Sequence, residues 1–324
     1  MLEIPYIDSD FIAGHTDYKI LISKIRQGFS FSSIEVPQRH HHHIANPPET
    51  ENSTLLIMPS WDPGKDLGVK IVTVSPQNSK YNLPSINGTY IYFDAQKGIP
   101  KAILEAKLLT AKRTAATSAL AASYLAKKNA SSMLMIGTGL LSVELILAHC
   151  SVRPIKKVYV WGRDFQKSKA VCEQLKDKNF EIQPITDLDE AIGQVDIISA
   201  ATLSKESLIK GKLLKRGQHI DLVGAFKQNM READDETIQR SSVFVDTYGG
   251  MNESGDIFIP LQNGILKETD VKSDLFELCK EEKDGRNNEM EITLFKSVGY
   301  ALEDLVAAKY YYDQYIQIKN ENIS

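Results

Sequence analysis

A glycine turn between a short apolar run and a periodic apolar segment is the feature that most limits how this chain folds. Residues 132–136 form an apolar run of strand length, and the turn Gly137-Thr-Gly139-Leu-Leu-Ser142 follows at once. Leu141, Leu145 and Ile146 then recur at helical spacing. A strand, a glycine turn and a helix start in this order present unpaired N–H groups to a pyrophosphate. The pattern predicts a nucleotide-binding turn, although Ser142 replaces the third small residue of the fingerprint.

Strands and helices continue to alternate beyond this turn. We predict strands at 157–161, 195–199, 219–224 and 242–246, and helices at 164–177, 187–194, 204–214 and 231–240. Alternation of this kind is typical of an α/β protein with a doubly wound parallel sheet of Rossmann type. We therefore expect an NAD(P)-binding domain over residues 115–300.

The first 110 residues show a different pattern, with strand-like segments separated by Pro, Gly and Asn turns. We predict strands at 31–36, 55–59, 69–74 and 89–93, and a helix within the C-terminal run 298–318. The C-terminal helix would return to cover the β-rich part. The chain is thus expected to hold a second, β-rich α+β domain, formed by residues 1–114 and 301–324, into which the nucleotide domain is inserted.

Composition and charge exclude several classes of partner. The 324 residues carry a formal net charge of −4 and no long basic run, which argues against nucleic acid and anionic membranes as partners. No apolar segment is long enough to span a bilayer, and the N-terminus lacks a signal-peptide pattern, so we expect a cytoplasmic protein with a small-molecule substrate. The three cysteines are far apart and form no CxxC pair, which argues against disulfides and zinc sites.

The turn after the second predicted strand bears on the choice of cofactor. Arg163 and Asp164 occupy the position where the adenosine ribose of a dinucleotide would lie, and Lys167 and Lys169 follow. A carboxylate there accepts from a free ribose 2′-OH, whereas an arginine pairs with a 2′-phosphate. Asp164 could instead cap the next helix. We predict NADPH as the preferred cofactor and NADH as the second, with a solvated Arg163 as the alternative.

Cationic residues lie at two places in the sequence where a positive charge is energetically unfavourable. Lys70 lies within the apolar strand 69–74, and burying its ammonium is unfavourable unless an anion accompanies it. An edge-strand lysine that reaches solvent is the alternative. Lys112 and Arg113 are expected near a helix start, where the dipole disfavours cations unless an anion binds. An ordinary exposed arginine is the alternative there.

Four consecutive histidines, His40 to His43, invite a metal assignment. Successive residues of a strand point to opposite faces, so at most two of them could join one ligand set. No nearby Asp, Glu or Cys completes such a set at a usual spacing, and we predict no metal site. Whether one of the four imidazoles faces the substrate as a proton donor is left open.

These residues also carry a resemblance over nearly the whole chain. The motifs Gly68-Val-Lys70-Ile-Val-Thr-Val, Leu109-Thr-Ala-Lys-Arg113-Thr-Ala-Ala, the glycine turn, Val223-Gly-Ala225 with Arg231-Glu232, and Leu294-Phe-Lys-Ser-Val-Gly299 resemble the ornithine cyclodeaminase and mu-crystallin family. The resemblance implies that Lys70, Arg113 and Arg39 bind a substrate carboxylate, for which arginine geometry is suited. It further implies a homodimer in which the β-rich domains pair.

One position departs from the cyclodeaminating members of that family. They carry an Asp two residues past the glycine of Val223-Gly224, where this chain has Phe226. An aromatic side chain is no base and activates no water. Residues 39–43 with Met58-Pro-Ser-Trp61 resemble the branch that reduces cyclic ketimines, Δ1-pyrroline-2-carboxylate to L-proline and often Δ1-piperideine-2-carboxylate to L-pipecolate. Trp61 would then pack on the substrate ring or the nicotinamide, or else serve as a core aromatic.

The expected function is therefore NAD(P)H-dependent reduction of a ketimine carboxylate, with Lys70 as the catalytic residue. The alternatives are an ornithine or lysine cyclodeaminase, an alanine dehydrogenase, and a non-catalytic NADPH-dependent binder of mu-crystallin type. The residues assigned to the cofactor are Thr114, Gly137, Thr138, Gly139, Leu140, Leu141, Arg163, Lys167, Ala201, Thr202, Val223, Gly224, Lys296 and Gly299.

Overall fold

The chain divides into two compact units. A computed structural model describes residues 4–31, 33–46 and 52–322. The first unit consists of Met1–Arg113 together with Tyr300–Ser324, and the second consists of Thr114–Gly299.

The first unit is built on a six-stranded sheet with the order β1-β6-β5-β4-β3-β2. Its strands are β1 (Tyr6–Ile7), β2 (His40–Ile44), β3 (Ser53–Asp62), β4 (Asp66–Val74), β5 (Ile86–Asp94) and β6 (Pro100–Glu105). Strand β1 runs parallel to β6, and the other neighbours are antiparallel. The helices are α1 (Ser9–Gly14), α2 (Tyr18–Phe31), the start of α3 (Ala106–Leu125) and α10 (Ala301–Glu321). Helix α10 packs on α2 and on strands β3, β4 and β5, so the predicted C-terminal helix is confirmed.

Residues 31–36 do not form the predicted strand. Phe31 ends helix α2, Glu35 forms one isolated bridge with Trp61, and Ser32 lies outside the described residues. The aromatic and β-branched composition of this segment suits a strand, but the ladder position beside β3 is taken by β2 instead. The other three predicted strands lie within β3, β4 and β5.

One close approach in this sheet requires glycine. Tyr90 on β5 is fully buried, and its ring crosses β4 at Gly68. A Cβ atom built on Gly68 would lie 1.9 Å from the Tyr90 hydroxyl oxygen and 2.4 Å from the Cζ atom. Because Gly68 and Lys70 are two residues apart on one strand, they share a face, and the glycine makes room for the tyrosine beside Lys70.

The second unit is the predicted parallel sheet. Its eight strands, in the order β13-β12-β14-β11-β10-β7-β8-β9, all pair in parallel. They are β7 (Ser132–Ile136), β8 (Lys157–Trp161), β9 (Glu181–Pro184), β10 (Ile197–Ala200), β11 (His219–Leu222), β12 (Ser242–Val245), β13 (Ser273–Asp274) and β14 (Thr293–Lys296). Strands β7, β8 and β9 follow one another in one direction along the sheet, and β10 then pairs on the other side of β7. This is a doubly wound sheet, and its β7 and β8 have the predicted bounds.

The helices of the second unit are shorter than the sequence predicts. They are α4 (Leu140–Val152), α5 (Phe165–Leu175), α6 (Leu188–Ile192), α7 (Asp235–Arg240), α8 (Gly255–Gln262) and α9 (Leu275–Cys279), with the C-terminal part of α3. The helix predicted at 204–214 is wrong, since this segment holds only a 3-10 turn at Gly211–Leu213. Its backbone pairs instead with a neighbouring loop, because Ile209 forms a parallel bridge with Ala233. Within the described residues, none of the helices has the length and apolar character that a membrane crossing needs. The cytoplasmic location stays a prediction.

The contact between Gly68 and Tyr90 leads to a test by substitution. Gly68→Ala places a methyl group on the fully buried tyrosine ring, and overpacking of this kind costs about 1–3 kcal/mol. We expect a lower free energy of unfolding in a denaturant titration. Gly14→Ala is the matched control, because a Cβ at Gly14 meets no atom within 4 Å. Equal stability of the two variants would contradict the packing described above.

Candidate functional site

A cleft in the second unit opens at the carboxyl ends of its central strands. Its volume is about 490 Å³, and its lining comes from the loops after β7, β8 and β10. The lining residues are Gly137, Thr138, Trp161, Gly162, Arg163, Asp164, Lys167, Ala201, Thr202, Leu203, Ser204 and Leu208. Ligands of doubly wound sheets bind in such a crevice, at the point where the strand order reverses.

Two glycines shape this cleft, and neither can be replaced without a clash. Gly137 has a φ of +125°, and a Cβ there would lie 2.6 Å from the Ala201 carbonyl oxygen. A Cβ on Gly162 would lie 2.5 Å from the Cγ2 atom of Thr138. The backbone of the three loops is therefore packed as closely as glycine allows, which leaves the cleft open for a ligand.

In a turn of this type, the start of the following helix, here α4, is where an anion binds. Gly139 is the N-cap residue, and it has no side chain to accept from the first N–H groups of the 13-residue helix. A Cβ on Gly139 would meet no atom within 4 Å, so the backbone here is accessible. Ser142 is fully buried, which fits the need for a small side chain at the third fingerprint position. These features fit the diphosphate of a dinucleotide.

The adenosine end of the cleft carries two cations and one carboxylate. Arg163, Asp164 and Lys167 all line it. The Asp164 carboxylate accepts from the Gln166 backbone N–H at 2.9 Å and is the N-cap of α5, so its capping role is confirmed. Lys169 does not line the cleft, and its Nζ lies 4.9 Å from the centre of the Phe165 ring. Arg163 and Lys167 are thus the cations available to a ribose phosphate.

A buried glutamate joins the loops that follow β10 and β11. Glu232 is fully buried and accepts from the N–H groups of Thr202 at 2.6 Å, Gly224 at 2.8 Å and Ala225 at 3.3 Å. It also accepts from the Thr202 hydroxyl at 2.9 Å. Burial raises the pKa of Glu232 to about 7, against the opposing charge of Lys296. The glutamate holds two of the loops that sequence analysis assigned to the cofactor.

Lys296 has a partner within the protein. Its side chain is 1% exposed, and its Nζ lies 3.1 Å from Oδ2 of the fully buried Asp256. The other carboxylate oxygen of Asp256 accepts from the Glu232 N–H at 2.7 Å. Lys296, which sequence analysis assigned to the cofactor, is therefore also part of a buried ionic network.

The remaining residues assigned to the cofactor lie on several elements of the second unit. Thr114 is buried in α3, Leu140 is exposed at the start of α4, and Leu141 and Val223 are half-buried. Gly299 has a φ of +83°, and its N–H donates to Asp246 at 2.8 Å. None of these five residues lines the cleft described above, whereas Gly137, Thr138, Arg163, Lys167, Ala201 and Thr202 do.

The first unit contains a second candidate site, here called the cation cluster: Lys70 and Arg113 with Asp304 and Glu303. The Lys70 Nζ lies 2.7 Å from the Asp304 Oδ2. Arg113 donates from Nε to the Asp304 Oδ1 at 2.9 Å and from Nη1 to the Glu303 Oε2 at 2.5 Å. All four side chains are at least 95% buried. The structure thus brings Lys70 and Arg113 together around one carboxylate.

This arrangement corrects two expectations. Lys70 is on the interior strand β4, which rules out the solvated edge-strand reading. Arg113 is not near a helix start, because α3 begins at Ala106, so the helix dipole does not explain its position. The anions that balance both cations belong to α10 of the protein itself.

Arg39 is close enough to Lys70 to affect its charge. Burial and the positive charges of Arg113 and Arg39 lower the pKa of Lys70 to about 8, while Asp304 opposes this shift. Arg39 and Trp61 are both half-buried. At neutral pH the Lys70 ammonium is therefore still charged, but it loses its proton far more readily than an exposed lysine.

The four histidines form the edge strand β2, and all are exposed. His41 pairs with Leu56, which pairs with Val72, so His41 and His43 lie on the Lys70 face of the sheet and His40 and His42 on the other. Burial lowers the pKa of His41, with further contributions from Arg39 and His43. In the part of the chain that the structure describes, no three His, Cys, Asp or Glu side chains are grouped as metal ligands.

Sequence analysis missed the buried carboxylates of both units. Glu303 and Asp304 lie in the first turn of α10 and Asp256 in that of α8, and Glu232 and Asp246 lie beside other polar residues, so that exposed side chains are expected at all five positions. The unbalanced cation at Lys70 was the available signal, since it requires an anion somewhere in the chain. It does not indicate which of many carboxylates supplies that anion.

Comparison with known proteins agrees with this geometry. The sequence profile of the ornithine cyclodeaminase/mu-crystallin family matches residues 11–319. The chain belongs to this family. An uncharacterized protein of Schizosaccharomyces pombe is 46% identical over 303 residues, which cover 90% of this chain and 92% of that protein. The Δ1-pyrroline-2-carboxylate reductase of Paracoccus denitrificans is 33% identical over 299 residues, with 92% of each chain covered.

A solved structure of a family member is also similar throughout. The Δ1-pyrroline-2-carboxylate reductase of Thermococcus litoralis, in complex with NADH and L-proline, has 32% sequence identity and a TM-score of 0.91, with 98% of each chain covered. The resemblance to the reductase branch of the family, inferred from the sequence, is confirmed, and so is the fold class.

The buried pair of Lys296 and Asp256 leads to a prediction that separates structure from cofactor binding. Lys296→Met leaves the Asp256 carboxylate buried without its cation, which costs about 3–5 kcal/mol. We expect the melting temperature without nucleotide to fall clearly. The double variant Lys296→Met/Asp256→Asn removes both charges and should recover most of the loss. An unchanged melting temperature in the single variant would mean that Lys296 serves the cofactor alone.

Proposed function

We propose that the protein reduces cyclic ketimine carboxylates with a nicotinamide cofactor, Δ1-pyrroline-2-carboxylate to L-proline and also Δ1-piperideine-2-carboxylate to L-pipecolate. The observation that carries the proposal is the buried pair of cations around Asp304, in a chain of a family whose related members include Δ1-pyrroline-2-carboxylate reductases. Two buried cations that lie side by side are suited to binding one substrate carboxylate. The enzyme is thus an oxidoreductase that acts on a C=N bond.

In this proposal the substrate carboxylate binds to Lys70, Arg113 and Arg39. Arginine supplies two parallel N–H donors and lysine a single charge, and both are stronger away from water. Their side chains need no rearrangement, because Asp304 and Glu303 already hold Lys70 and Arg113. Trp61 pairs with Leu67 and therefore lies on the face of the sheet opposite Lys70, which argues against the expected packing of Trp61 on the substrate ring. The clamp fixes the orientation of the C=N carbon, and Lys70 is the residue that we assign to catalysis.

The cleft of the second unit is assigned to the cofactor. A nicotinamide bound there would supply the hydride for the carbon of the protonated C=N bond, whose nitrogen would thereby become the amine. The loops at Gly137–Gly139 would hold its diphosphate, and Glu232 keeps the backbone at Thr202 and Gly224 in place. Arg163 and Lys167 support a preference for NADPH over NADH, since Asp164 is engaged as a helix cap.

Phe226 argues against the cyclodeaminase alternative. Its side chain is 37% exposed, and the Lys227 ammonium lies 5.7 Å from its ring centre. Elimination of ammonia from ornithine or lysine needs a base and an activated water, which an aromatic ring does not provide. An alanine dehydrogenase would use the same cations on pyruvate. A non-catalytic binder of mu-crystallin type would also have the cleft, but it has less need of a complete set of buried cations.

The sheet of the first unit supports a homodimer. From Asp66 to Lys70, the residues of β4 alternate between buried ones on the Lys70 face and half-buried ones on the other face, and residues 71–74 are all half-buried. That other face is apolar and includes Leu55, Ile57, Val69, Ile71 and Ile91. An apolar sheet face of this kind is suited to pairing with a second copy of the chain. We propose that the dimer forms through it.

The deciding experiment compares three reactions. We expect rapid NADPH oxidation with Δ1-pyrroline-2-carboxylate, hardly any ammonia release from L-ornithine with NAD+, and hardly any NAD+ reduction with L-alanine. The products L-proline and ammonia are measured separately by chromatography and an ammonia assay. Ammonia release from ornithine would instead support the cyclodeaminase, and NADPH binding without turnover of any substrate would support the binder.

Arg163 gives a test of cofactor preference. Arg163→Asp removes a charge-assisted contact to the 2′-phosphate, worth about 1.4 kcal/mol or more, so we expect KM for NADPH to rise at least about ten-fold with little change for NADH. Lys169→Asp on the following helix α5 is the control, because Lys169 does not line the cleft. An equal rise in KM for NADPH and NADH would show that Arg163 does not bind the 2′-phosphate.

A further inference from the structure

We propose that Asp304 is a positioning residue that keeps the Lys70 ammonium charged and holds it beside the Arg113 guanidinium for the substrate carboxylate. The inference rests on the function proposed above and concerns the same site. Asp304 reaches both cations at once, through Oδ2 to Lys70 at 2.7 Å and through Oδ1 to Arg113 at 2.9 Å. Because its side chain is fully buried, water contributes little to the balance of these charges.

The surroundings of Lys70 show why it needs this partner. Of the strands beside β4, β3 places Met58 opposite Lys70, and β5 places Tyr90 there. Neither side chain carries a charge, since burial raises the pKa of Tyr90 well above its ordinary value. Arg113 from α3 and Arg39 from the segment before β2 both disfavour a charged lysine. Asp304 from α10 is the anion that opposes them.

As a result, Lys70 loses its proton only slightly above neutral pH. Its pKa lies near 8 with Asp304 present, and the Asp304 carboxylate favours the charged form. Removal of that negative charge must therefore lower the pKa of Lys70 further, by about 1 unit or more for an opposite charge at this distance. The neutral amine does not pair with a carboxylate. Binding of substrate should thus weaken as the pH rises through the pKa of Lys70. Without Asp304, the same weakening should begin at a lower pH.

Glu303 is the matched control on the same helix. It is as deeply buried as Asp304 and contacts the same arginine, Arg113, whereas the ion pair of Lys70 is with Asp304. Loss of its charge disturbs the arginine without removing the counter-ion of the lysine. A comparison of Asp304→Asn with Glu303→Gln therefore separates the effect on Lys70 from a general loss of buried charge.

The experiment measures the protonation of Lys70 directly and then the reaction. Protein with 13C at the lysine Cε atoms is titrated by NMR without substrate, and the Lys70 signal is identified by its absence in Lys70→Arg. We expect a midpoint near pH 8 in the wild type, at least about 1 pH unit lower in Asp304→Asn, and unchanged in Glu303→Gln. The alkaline limb of kcat/KM for Δ1-pyrroline-2-carboxylate should move with the midpoint, mainly through KM.

The outcomes distinguish the two proposals. An unchanged Lys70 midpoint in a folded Asp304→Asn variant would overturn the role of Asp304, whatever the substrate. A shifted midpoint in a protein that does not reduce the ketimine would keep the role of Asp304 and contradict the proposed function. If Asp304→Asn does not fold, Asp304→Glu moves the carboxylate by one methylene group, and a Lys70 midpoint equal to that of the wild type in this variant would then overturn the role of Asp304.

Discussion

The pairing of buried charges is the constraint on which both units depend. In the first unit, one carboxylate of the C-terminal helix joins a lysine from the middle of the sheet to an arginine from α3. Each of these groups would be unstable in the interior alone, because an unpaired buried charge costs several kcal/mol. Together they fix α10 across the sheet. The helix therefore does more than cover apolar surface, since without it the cations would have no partner.

The second unit solves the same problem with backbone donors. Glu232 accepts from three backbone N–H groups, and Asp246 accepts from those of Thr247, Val298 and Gly299. Loops at the carboxyl ends of parallel strands have unpaired N–H groups, because the ladder stops where the strand ends. Buried carboxylates satisfy them and at the same time draw adjacent loops together. In the cleft, Glu232 in this way ties the loop at Thr202 to the loop at Gly224.

The sequence predicts local units well and distant pairs poorly. The strands β7 and β8 and the glycine turn between them are determined by residues within a span of about thirty, so their bounds could be predicted. The helix expected at 204–214 fails because its polar pattern does not reveal the bridge between Ile209 and Ala233. Arg113 and Asp304 are 191 positions apart, and no periodicity connects them. The sequence indicates that Lys70 needs an anion, but only the fold identifies it.

A substrate site that already contains paired charges has a consequence for binding. A cation held by a fixed carboxylate keeps one orientation before the ligand arrives, so that little side-chain freedom is lost on binding. The same carboxylate competes with the ligand for the cation, which weakens the attraction that each cation exerts. With Arg39, whose positive charge also reaches Lys70, three cations are balanced by the two carboxylates of Asp304 and Glu303, which leaves one positive charge for a further anion. The cluster thus combines a site that is stable without ligand with affinity for a carboxylate.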